Sequence, residues 1–279
     1  MSKTLLKLFP EAGERPLEGT YLGEDLPPAA QSAGRPFVYA NFVSSLDGRI
    51  GIARPHRETH AVPEAIANPR DWRLYQELGA RADILVTSAR YYRQFARGEA
   101  QDTLPVGADE AFADLRAWRI DQGLEPQPDV AIISASLDIP ADAIAAYRER
   151  RLHLFTGPDA DPARVAALEA LGVSVHFAGE GRNVSGDTMV RRLGELGYRS
   201  AYAIAGSSVF HTLVRDGALD RLYLTLAHRL LGGEDFDTLT WGSELVPPQS
   251  LVLRSLYYDA HAPEGCGQLL AAYDCVPRG

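Results

Sequence analysis

A turn of small and hydroxylated residues between two apolar segments is the part of this sequence whose residue types best suit ligand binding. Residues 201–205 are apolar, Gly206-Ser207-Ser208 interrupts them, and apolar side chains recur at helical spacing over residues 209–214. The pattern predicts a strand, a tight turn and a helix. The first N–H groups of a helix lack partners within it and lie at the positive end of its dipole. The turn is therefore a natural seat for a phosphate, or the serines simply cap the helix.

Small or hydroxylated residues also follow three other apolar runs, which have the pattern of buried strands in a parallel sheet. In an open parallel sheet, ligands bind outside the carboxyl ends of the strands. Small side chains would let a nucleotide approach the backbone there, and hydroxyl groups would add hydrogen bonds. The Gly-x-Gly-x-x-Gly and Gly-Lys-Ser/Thr motifs do not occur in the sequence, so the two folds that use them are not supported. The residues at these three strand ends are Thr87, Ser88, Ser134 and Gly157.

The order of the predicted elements defines the class of fold. From residue 37 onward, apolar runs alternate with segments of helical periodicity, which is typical of an α/β sheet with helices on both faces. Residues 251–259 and 268–275 predict an antiparallel hairpin at one edge of an otherwise parallel sheet. Residues 1–36 contain several prolines, so we expect an irregular N-terminal arm, followed by a single domain over residues 37–279.

Composition and charge argue against several classes of protein. The chain has 279 residues, of which 46% are hydrophobic, and a formal net charge of −9, which does not favour sequence-independent binding of nucleic acid. Cys266 and Cys275 form no Cys-x-x-Cys pair, so we expect no disulfide framework. His56 and His60 lie between prolines without helical periodicity, so we expect no metal site. Because no apolar run resembles a membrane span or a signal peptide, we expect a soluble, cytoplasmic protein.

Three segments carry motifs that occur together, in this order, in one enzyme family. They are Ser-Leu-Asp-Gly at residues 45–48, Ala-Arg-Ala-Asp at residues 80–83, and the strand, turn and helix around Gly206 that lead to Leu-Leu-Gly-Gly at residues 230–233. On these motifs the chain resembles, over roughly residues 36–234, the pyrimidine reductase family, the reductase domain of bacterial riboflavin biosynthesis. The resemblance implies a dihydrofolate-reductase-like, three-layer α/β/α fold with a mostly parallel central sheet.

The resemblance also implies a cofactor, a reaction and an oligomeric state. The family binds NADPH with its pyrophosphate at the Gly206 helix, and it transfers a hydride to the C1′ imine of a ribosylaminopyrimidine. Arg90 could pair with the 2′-phosphate of NADPH, or it could be an ordinary solvated arginine. The common form of the family is a homodimer, for which Tyr257 and Tyr258 could supply an interface. The implied cofactor-binding residues are Val43, Ser44, Thr87, Ser88, Arg90, Ser134, Gly157, Gly206, Ser207, Ser208, Val209 and Phe210.

Several positions that face the substrate in the family differ in this chain. Asn41 stands where the family usually has Lys, and Ile204 stands where it usually has Glu. We assign Asn41, Ser45 and Ile204 to the substrate side of the site. Because charged partners for a phosphorylated pyrimidine are missing, we predict that the chain has kept the cofactor and changed its substrate. We assign no catalytic residue, since the protein mainly has to hold donor and acceptor together.

Two other functions remain open at this point. One is a dihydrofolate-reductase-like reductase of a pterin or another heteroaromatic compound. It would need an acidic residue in the substrate pocket, and Asp47 reads instead as a residue that holds its own turn. The other is a protein that binds a nucleotide or a second subunit without catalysis, which Asn41 and Ile204 favour. Fold alone does not decide among these functions.

Overall fold

The computed structural model describes residues 4–24, 34–53, 60–100 and 106–277, so that His56 lies outside the described residues. The strands are β1 Thr4–Phe9, β2 Gly13–Pro16, β3 Phe37–Ser45, β4 Gly51–Ile52, β5 Ile84–Ser88, β6 Asp129–Ile133, β7 Leu152–Thr156, β8 Ser174–Phe177, β9 Gly179–Glu180, β10 Asn183–Val184, β11 Ser200–Ala203, β12 Arg221–Ala227, β13 Phe236–Asp237, β14 Leu251–Asp259 and β15 Gln268–Cys275. The α-helices are α1 Pro69–Arg81, α2 Ala89–Ala96, α3 Ala113–Asp121, α4 Ala141–Ala145, α5 Pro162–Ala170, α6 Gly186–Glu195 and α7 Ser207–Arg215. None of these helices is both long enough and apolar enough to cross a membrane.

Eleven of the described strands form one central sheet, in the order β2-β1-β14-β15-β12-β3-β11-β5-β6-β7-β8. From β12 to β8, neighbouring strands run parallel to each other. The remaining four strands run antiparallel to their neighbours. The carboxyl ends of the parallel strands therefore lie along one edge of the sheet. The predicted α/β fold, with a mostly parallel central sheet and a C-terminal antiparallel hairpin, is confirmed.

Helices pack on both faces of the sheet, and alternate side chains of β3 contact the helices on each face. Phe37 and Tyr39 point to a core that includes residues of α1, α2, α4 and α5, and we call this side face A. Val38, Ala40 and Phe42 point to a second core formed with α6 and α7, on face B. Successive side chains of a strand point to opposite faces, so a strand covered on both sides is apolar at every position. The result is the three-layer arrangement that the sequence predicts.

Helix α1 begins at a proline. Helical periodicity over residues 63–80 predicts a helix with a break at Pro69, and the structure instead starts the helix there. Asn68 caps it, because its side-chain oxygen accepts hydrogen bonds from the N–H groups of Arg70 and Asp71 at 3.1 and 2.9 Å. A proline fits the first helical position because no intrahelical hydrogen bond is lost there.

The N-terminal arm is not irregular throughout, contrary to expectation. Strand β1 pairs with β14 and β2 pairs with β1, so these two strands, and not the C-terminal hairpin, form the edge of the sheet. The turn after β2 packs Tyr21 against Tyr223, with ring centroids 4.7 Å apart. Buried Glu77 of α1 accepts hydrogen bonds from the N–H groups of Gly19 and Tyr21 at 2.6 and 3.0 Å. The segment therefore packs on the body of the protein, and the proposed domain boundary at residue 36 stays a prediction.

Face B of the antiparallel strands carries an apolar surface that is partly open to solvent. In register across four strands, Leu6 lies beside Tyr258, Tyr258 beside Leu269, and Leu269 beside Leu226. A second row begins with Phe9, which is 40% exposed, while Leu6 is 43% exposed. Tyr257, by contrast, is buried on face A and is not available for an interface. We call the following residues the uncovered sheet face: Leu6, Phe9, Leu224, Leu226, Leu256, Tyr258 and Leu269.

Candidate nucleotide-binding site

The predicted strand-end residues lie together at one edge of the sheet. Strands β11, β5, β6 and β7 are adjacent and parallel, and each is followed by one of the small or hydroxylated corners. We call this row of corners the carboxyl rim. Its members are Thr87, Ser88, Ser134, Gly157, Gly206, Ser207 and Ser208.

The turn at Gly206 is the most open part of the carboxyl rim. Gly206 is the N-cap of α7, and no side chain of the described residues caps this helix by a hydrogen bond, so the serines do not act as caps. The N–H groups of Val209 and Phe210 both donate to the Gly206 carbonyl, at 3.1 and 3.2 Å. Among the described residues, the N–H groups of Ser207 and Ser208 have no acceptor. Gly206 and Ser208 are exposed, and a Cβ built on Gly206 would meet no described atom within 4 Å, whereas Ser207 is buried.

The side chains of Val209 and Phe210 do not reach the carboxyl rim. Both are buried on face B, where the ring of Phe210 packs edge-on against Phe42 with centroids 5.0 Å apart. Their backbone groups are engaged in the first turn of α7. Contact with a ligand at this turn therefore falls to Gly206, Ser207 and Ser208.

A second helix begins at the carboxyl rim, after β5. Ser88 is the N-cap of α2, and its side chain makes no capping hydrogen bond within the described part of the chain. Arg90 in the first turn of α2 is exposed and has no ion-pair partner among the described residues. Thr87 is buried, with an exposed fraction of 2%. Ser88 and Arg90 are thus accessible to a ligand, whereas the side chain of Thr87 points into the protein.

The far end of the carboxyl rim is occupied by the protein itself. The Ser134 hydroxyl accepts a hydrogen bond from the N–H of Leu137 at 2.9 Å, within its own turn. A Cβ at Gly157 would lie 2.3 Å from the carbonyl oxygen of Gly181 and 2.6 Å from the carbonyl carbon of Arg182. The turn between β9 and β10 therefore takes the space that the glycine leaves. The assignment of these two residues to the cofactor stays a prediction.

Asp47 connects two of the sequence motifs. Its carboxylate accepts a hydrogen bond from the Ser45 hydroxyl at 2.5 Å, within the Ser-Leu-Asp-Gly turn. It also accepts hydrogen bonds from the N–H groups of Leu231 and Gly232, in the Leu-Leu-Gly-Gly motif, at 3.1 and 2.7 Å. These bonds, that from Ser45 first, lower the pKa of Asp47 to about 2. The Ser-Leu-Asp-Gly turn thereby holds the Leu-Leu-Gly-Gly loop. Asp47 is structural, as predicted, but it stabilises two segments and not only its own turn.

The three substrate-side residues have different environments. Asn41 is half-buried on face A, and its side-chain nitrogen is buried without a hydrogen-bond acceptor among the described residues. Ile204 is half-buried and packs against the face A core, while its N–H donates to the Val86 carbonyl at 2.9 Å. Ser45 is fully buried, and its hydroxyl is committed to Asp47. Of the three, Asn41 has a polar group left to offer to a ligand.

Two of the implied cofactor-binding residues, Val43 and Ser44, point to opposite faces of β3, because successive side chains of a strand alternate. Val43 is half-buried and pairs in register with Thr225 of β12, so both side chains lie on face A. Ser44 is buried, and its hydroxyl donates to the Ser45 carbonyl at 3.0 Å. Only Val43 therefore presents its side chain on the same face as Asn41.

A buried carboxyl group on face A was not predicted from the sequence. Asp71, in the first turn of α1, has an exposed fraction of 8% and accepts a hydrogen bond from the Thr225 hydroxyl at 2.5 Å. Burial, opposed by this hydrogen bond, raises the pKa of Asp71 to about 6. Among the described residues, no cation pairs with it. One feature of the sequence could have predicted that Asp71 is buried. It lies three residues before Leu74 and seven before Leu78, on the apolar side of α1.

Together, the mostly parallel sheet with helices on both faces and the uncapped helix start at Gly206 define an α/β protein of the class that the sequence predicts. The chain belongs to the family of the RibD C-terminal domain, whose model matches residues 36–256. The predicted resemblance to the pyrimidine reductases is thereby confirmed. A search of the curated proteins finds no match to this chain.

Solved structures share the fold at low sequence identity. A pyrimidine reductase-like protein from Corynebacterium diphtheriae is 18% identical, with a TM-score of 0.67 over 94% of this chain and 99% of the other. The riboflavin biosynthesis reductase of Saccharomyces cerevisiae is 14% identical, with a TM-score of 0.51, over 93% and 96% of the two chains.

A bifunctional protein shares the same fold. The diaminohydroxyphosphoribosylaminopyrimidine deaminase/5-amino-6-(5-phosphoribosylamino)uracil reductase of Thermotoga maritima is 15% identical, with a TM-score of 0.55. The match covers 88% of this chain and 58% of that protein. At these identities the likeness establishes the fold.

Proposed function

We propose that this protein is an NADPH-dependent pyrimidine reductase of the riboflavin-pathway type. The observation that carries the proposal is the uncapped start of α7, in a chain of the RibD C-terminal domain family. The N–H groups of Ser207 and Ser208 have no acceptor there among the described residues, and Gly206 and Ser208 are exposed. Two N–H donors at the positive end of a helix dipole match the chemistry of a pyrophosphate. We place such an enzyme in the cytoplasm, where NADPH is regenerated.

The residues of the chain would bind and orient the two reactants. Ser207 and Ser208 would hold the pyrophosphate, and exposed Arg90 would pair with the 2′-phosphate that distinguishes NADPH from NADH. Val43 would pack against the nicotinamide on face A. NADPH, when bound, supplies the hydride that reduces the C1′ imine of a ribosylaminopyrimidine. The contribution of the protein is to hold the two carbons together and to exclude water.

The substrate side favours a second candidate, a reductase of a pterin or a similar heteroaromatic compound. Its specific support is Asp71, a buried carboxyl group on the same face as Asn41 and Val43 and without a cation partner among the described residues. A carboxyl group in this setting would pair with ring N–H donors, and the buried nitrogen of Asn41 would donate to a ring carbonyl. The site then recognises a flat ring without the Lys and Glu that the family usually places there.

Parallel assays separate the candidates. Oxidation of NADPH is followed by absorbance with 5-amino-6-(5-phosphoribosylamino)uracil or with dihydrofolate as the second substrate. Turnover of the first supports the riboflavin-pathway activity, turnover of the second supports the pterin activity, and NADPH binding without either supports a non-catalytic nucleotide-binding protein. No binding of NADPH or NADH at millimolar concentration would refute the proposal as a whole.

Asp71→Asn refines this comparison. If Asp71 pairs with the substrate ring, the variant should lose turnover with the preferred substrate while its affinity for NADPH stays unchanged. Ser136→Ala, an exposed change at the far end of the carboxyl rim, is the matched control and should keep both. Unchanged turnover in Asp71→Asn would contradict a role for this carboxyl group.

We further propose that the protein is a homodimer formed through the uncovered sheet face. This face presents two apolar rows across four strands, and a second copy would remove them from water. Leu6→Glu should yield a monomer by size-exclusion chromatography with light scattering. Leu171→Glu, on a side chain that is 47% exposed at the end of α5, should leave the dimer intact. A wild-type monomer at micromolar concentration would contradict the proposal.

A further inference from the structure

Trp241 has an unusual position beside the Gly206 turn. Its side chain is 74% exposed, although tryptophan is the largest apolar side chain. Its N–H donates to the carbonyl of Ser207 at 3.4 Å, which places its backbone against the first turn of α7. The backbone that carries the ring therefore contacts the same turn whose N–H groups we assign to the pyrophosphate.

The segment that carries Trp241 is held firmly against α7. Gly242 packs so closely on His211 that a Cβ at this glycine would lie 2.4 Å from the ring nitrogen Nδ1. On the other side of the same ring, the His211 Nε2 lies 2.7 Å from the carbonyl oxygen of Ser243. Leu239 also packs against the face B core. The exposed indole thus stands on a fixed backbone, with buried contacts on both sides of it.

A fixed, exposed aromatic ring beside a phosphate seat suits a nucleotide base. Aromatic side chains stack on any base, because every base presents a π-face. An exposed indole gains no free energy from burial, whereas a ligand that covers the ring would remove its apolar surface from water. A dinucleotide whose pyrophosphate bound at Ser207 and Ser208 would carry a base on either side of this turn, and the backbone of Trp241 contacts the turn directly.

We propose that the indole of Trp241 stacks on the adenine base of the bound dinucleotide. The inference rests on the proposed function, because it takes the pyrophosphate at the Gly206 turn as its starting point. It adds an aromatic residue that determines cofactor affinity to the backbone groups, Arg90 and Val43 proposed above. It also assigns the adenine half of the cofactor to the α7 side of the turn and the nicotinamide half to β3.

Binding of the two halves of the cofactor tests the assignment. The probes are NADPH, 2′,5′-ADP for the adenine half and reduced nicotinamide mononucleotide for the other half. Trp241→Ala should weaken binding of NADPH and of 2′,5′-ADP on the order of 10-fold, by loss of one stacking contact. Its affinity for the mononucleotide should not change. Because the side chain is largely exposed, this variant should fold, and urea unfolding checks that it does.

Tryptophan fluorescence gives a second readout that does not depend on activity. The sequence contains three tryptophans, which are Trp72, Trp118 and Trp241. Stacking quenches indole emission, so 2′,5′-ADP should quench the wild type and Trp118→Phe but not Trp241→Phe. Equal affinities in wild type and Trp241→Ala, or unchanged quenching in Trp241→Phe, would overturn the inference while leaving the proposed function intact. Failure of the wild type to bind any of the probes would overturn both.

Discussion

The hydrogen bonds around Tyr198 form a chain whose direction is fixed by its two ends. The Tyr198 hydroxyl donates to Asp129 Oδ2 at 2.8 Å, so its oxygen accepts from His153 Nε2–H at 2.9 Å. The Nδ1 of His153 is then an acceptor, and His176 donates to it from Nε2 at 3.0 Å. His153 must be neutral for this chain to exist, because its Nδ1 accepts a hydrogen bond. The Nδ1 of His176 accepts from Arg192 Nε at 3.5 Å, so this imidazole is neutral as well. Burial, the largest cause in each case, lowers the pKa of His153 to about 4 and also lowers the pKa of His176.

Replacing Tyr198 by Phe would break this chain at its centre. The N–H of His153, a residue that is only 7% exposed, would lose its acceptor. A buried donor without a partner costs about 1–3 kcal/mol. Asp129 would lose less, because Arg151 still donates to it from its side chain at 2.7 Å and from its backbone at 2.9 Å. We therefore expect Tyr198→Phe to lower the free energy of unfolding by about 1–3 kcal/mol at neutral pH.

Urea unfolding followed by circular dichroism measures this difference. The matched control is Tyr273→Phe, which removes a hydroxyl from a half-buried tyrosine of β15 with no hydrogen bond of that hydroxyl among the described residues. The control should change the free energy by no more than about 0.5 kcal/mol. Nitrogen chemical shifts should also report both histidines as neutral, with the proton on Nε2. Equal stability of the two variants, or a proton on Nδ1 of His153, would refute the assigned chain.

Three further predictions concern pH and packing. The pKa of His153 is near 6.5 in the unfolded chain and about 4 in the folded protein. Lowering the pH from 6.5 to 4 should therefore lower the free energy of unfolding by up to about 3 kcal/mol. In His153→Gln, the free energy of unfolding should depend less on pH over this range. The pKa of His60 is raised, chiefly by its hydrogen bond to Asp237, so the stability that this pair contributes is present below pH 6.5 and is lost as pH rises through the raised pKa. His60→Gln should remove that contribution, which melting temperatures across the pH range would reveal as a loss confined to the acidic side. Gly157→Ala should lower the free energy of unfolding by at least about 1–3 kcal/mol, because the added Cβ would clash with backbone atoms. Gly206→Ala, whose added Cβ would contact no described atom within 4 Å, should lower it less in the same urea assay.

Local sequence predicted the elements that depend on local signals. Apolar runs bounded by glycine, serine or proline indicated the strands of the parallel sheet, and the hairpin strands Leu251–Asp259 and Gln268–Cys275 have the predicted bounds. The same rule located the Gly206 turn, since a small-residue break between a strand and a helix is visible within ten residues of sequence. The carboxyl rim followed from these elements, because parallel strands bring their ends to one edge.

Features that depend on distant partners could not be read in this way. Strand β1 looks irregular because proline and charged residues surround it, and it becomes a strand because Leu6 and Lys7 pair with Tyr258 and Tyr257 of β14. A structural role of Gly157 was likewise not visible in the local sequence, while its assignment to the cofactor stays a prediction. Its missing side chain makes room for the backbone of Gly181, which approaches from another turn.

The charge on the substrate side shows most clearly what tertiary structure adds. Read along the chain, Asn41 and Ile204 indicate only that two charges usual in the family are absent. Asp71 looks like an ordinary acidic residue in the first turn of a helix, where the dipole favours it. Only folding brings it against Thr225, 154 positions away, and removes it from water. A buried carboxyl group whose described partner is one hydroxyl is costly to ionise, and its pKa is raised accordingly. We therefore expect face A to offer a carboxyl group from α1 where the family usually has charges on the strands, and we expect the proposed substrate to be recognised there by its ring and not by its phosphate.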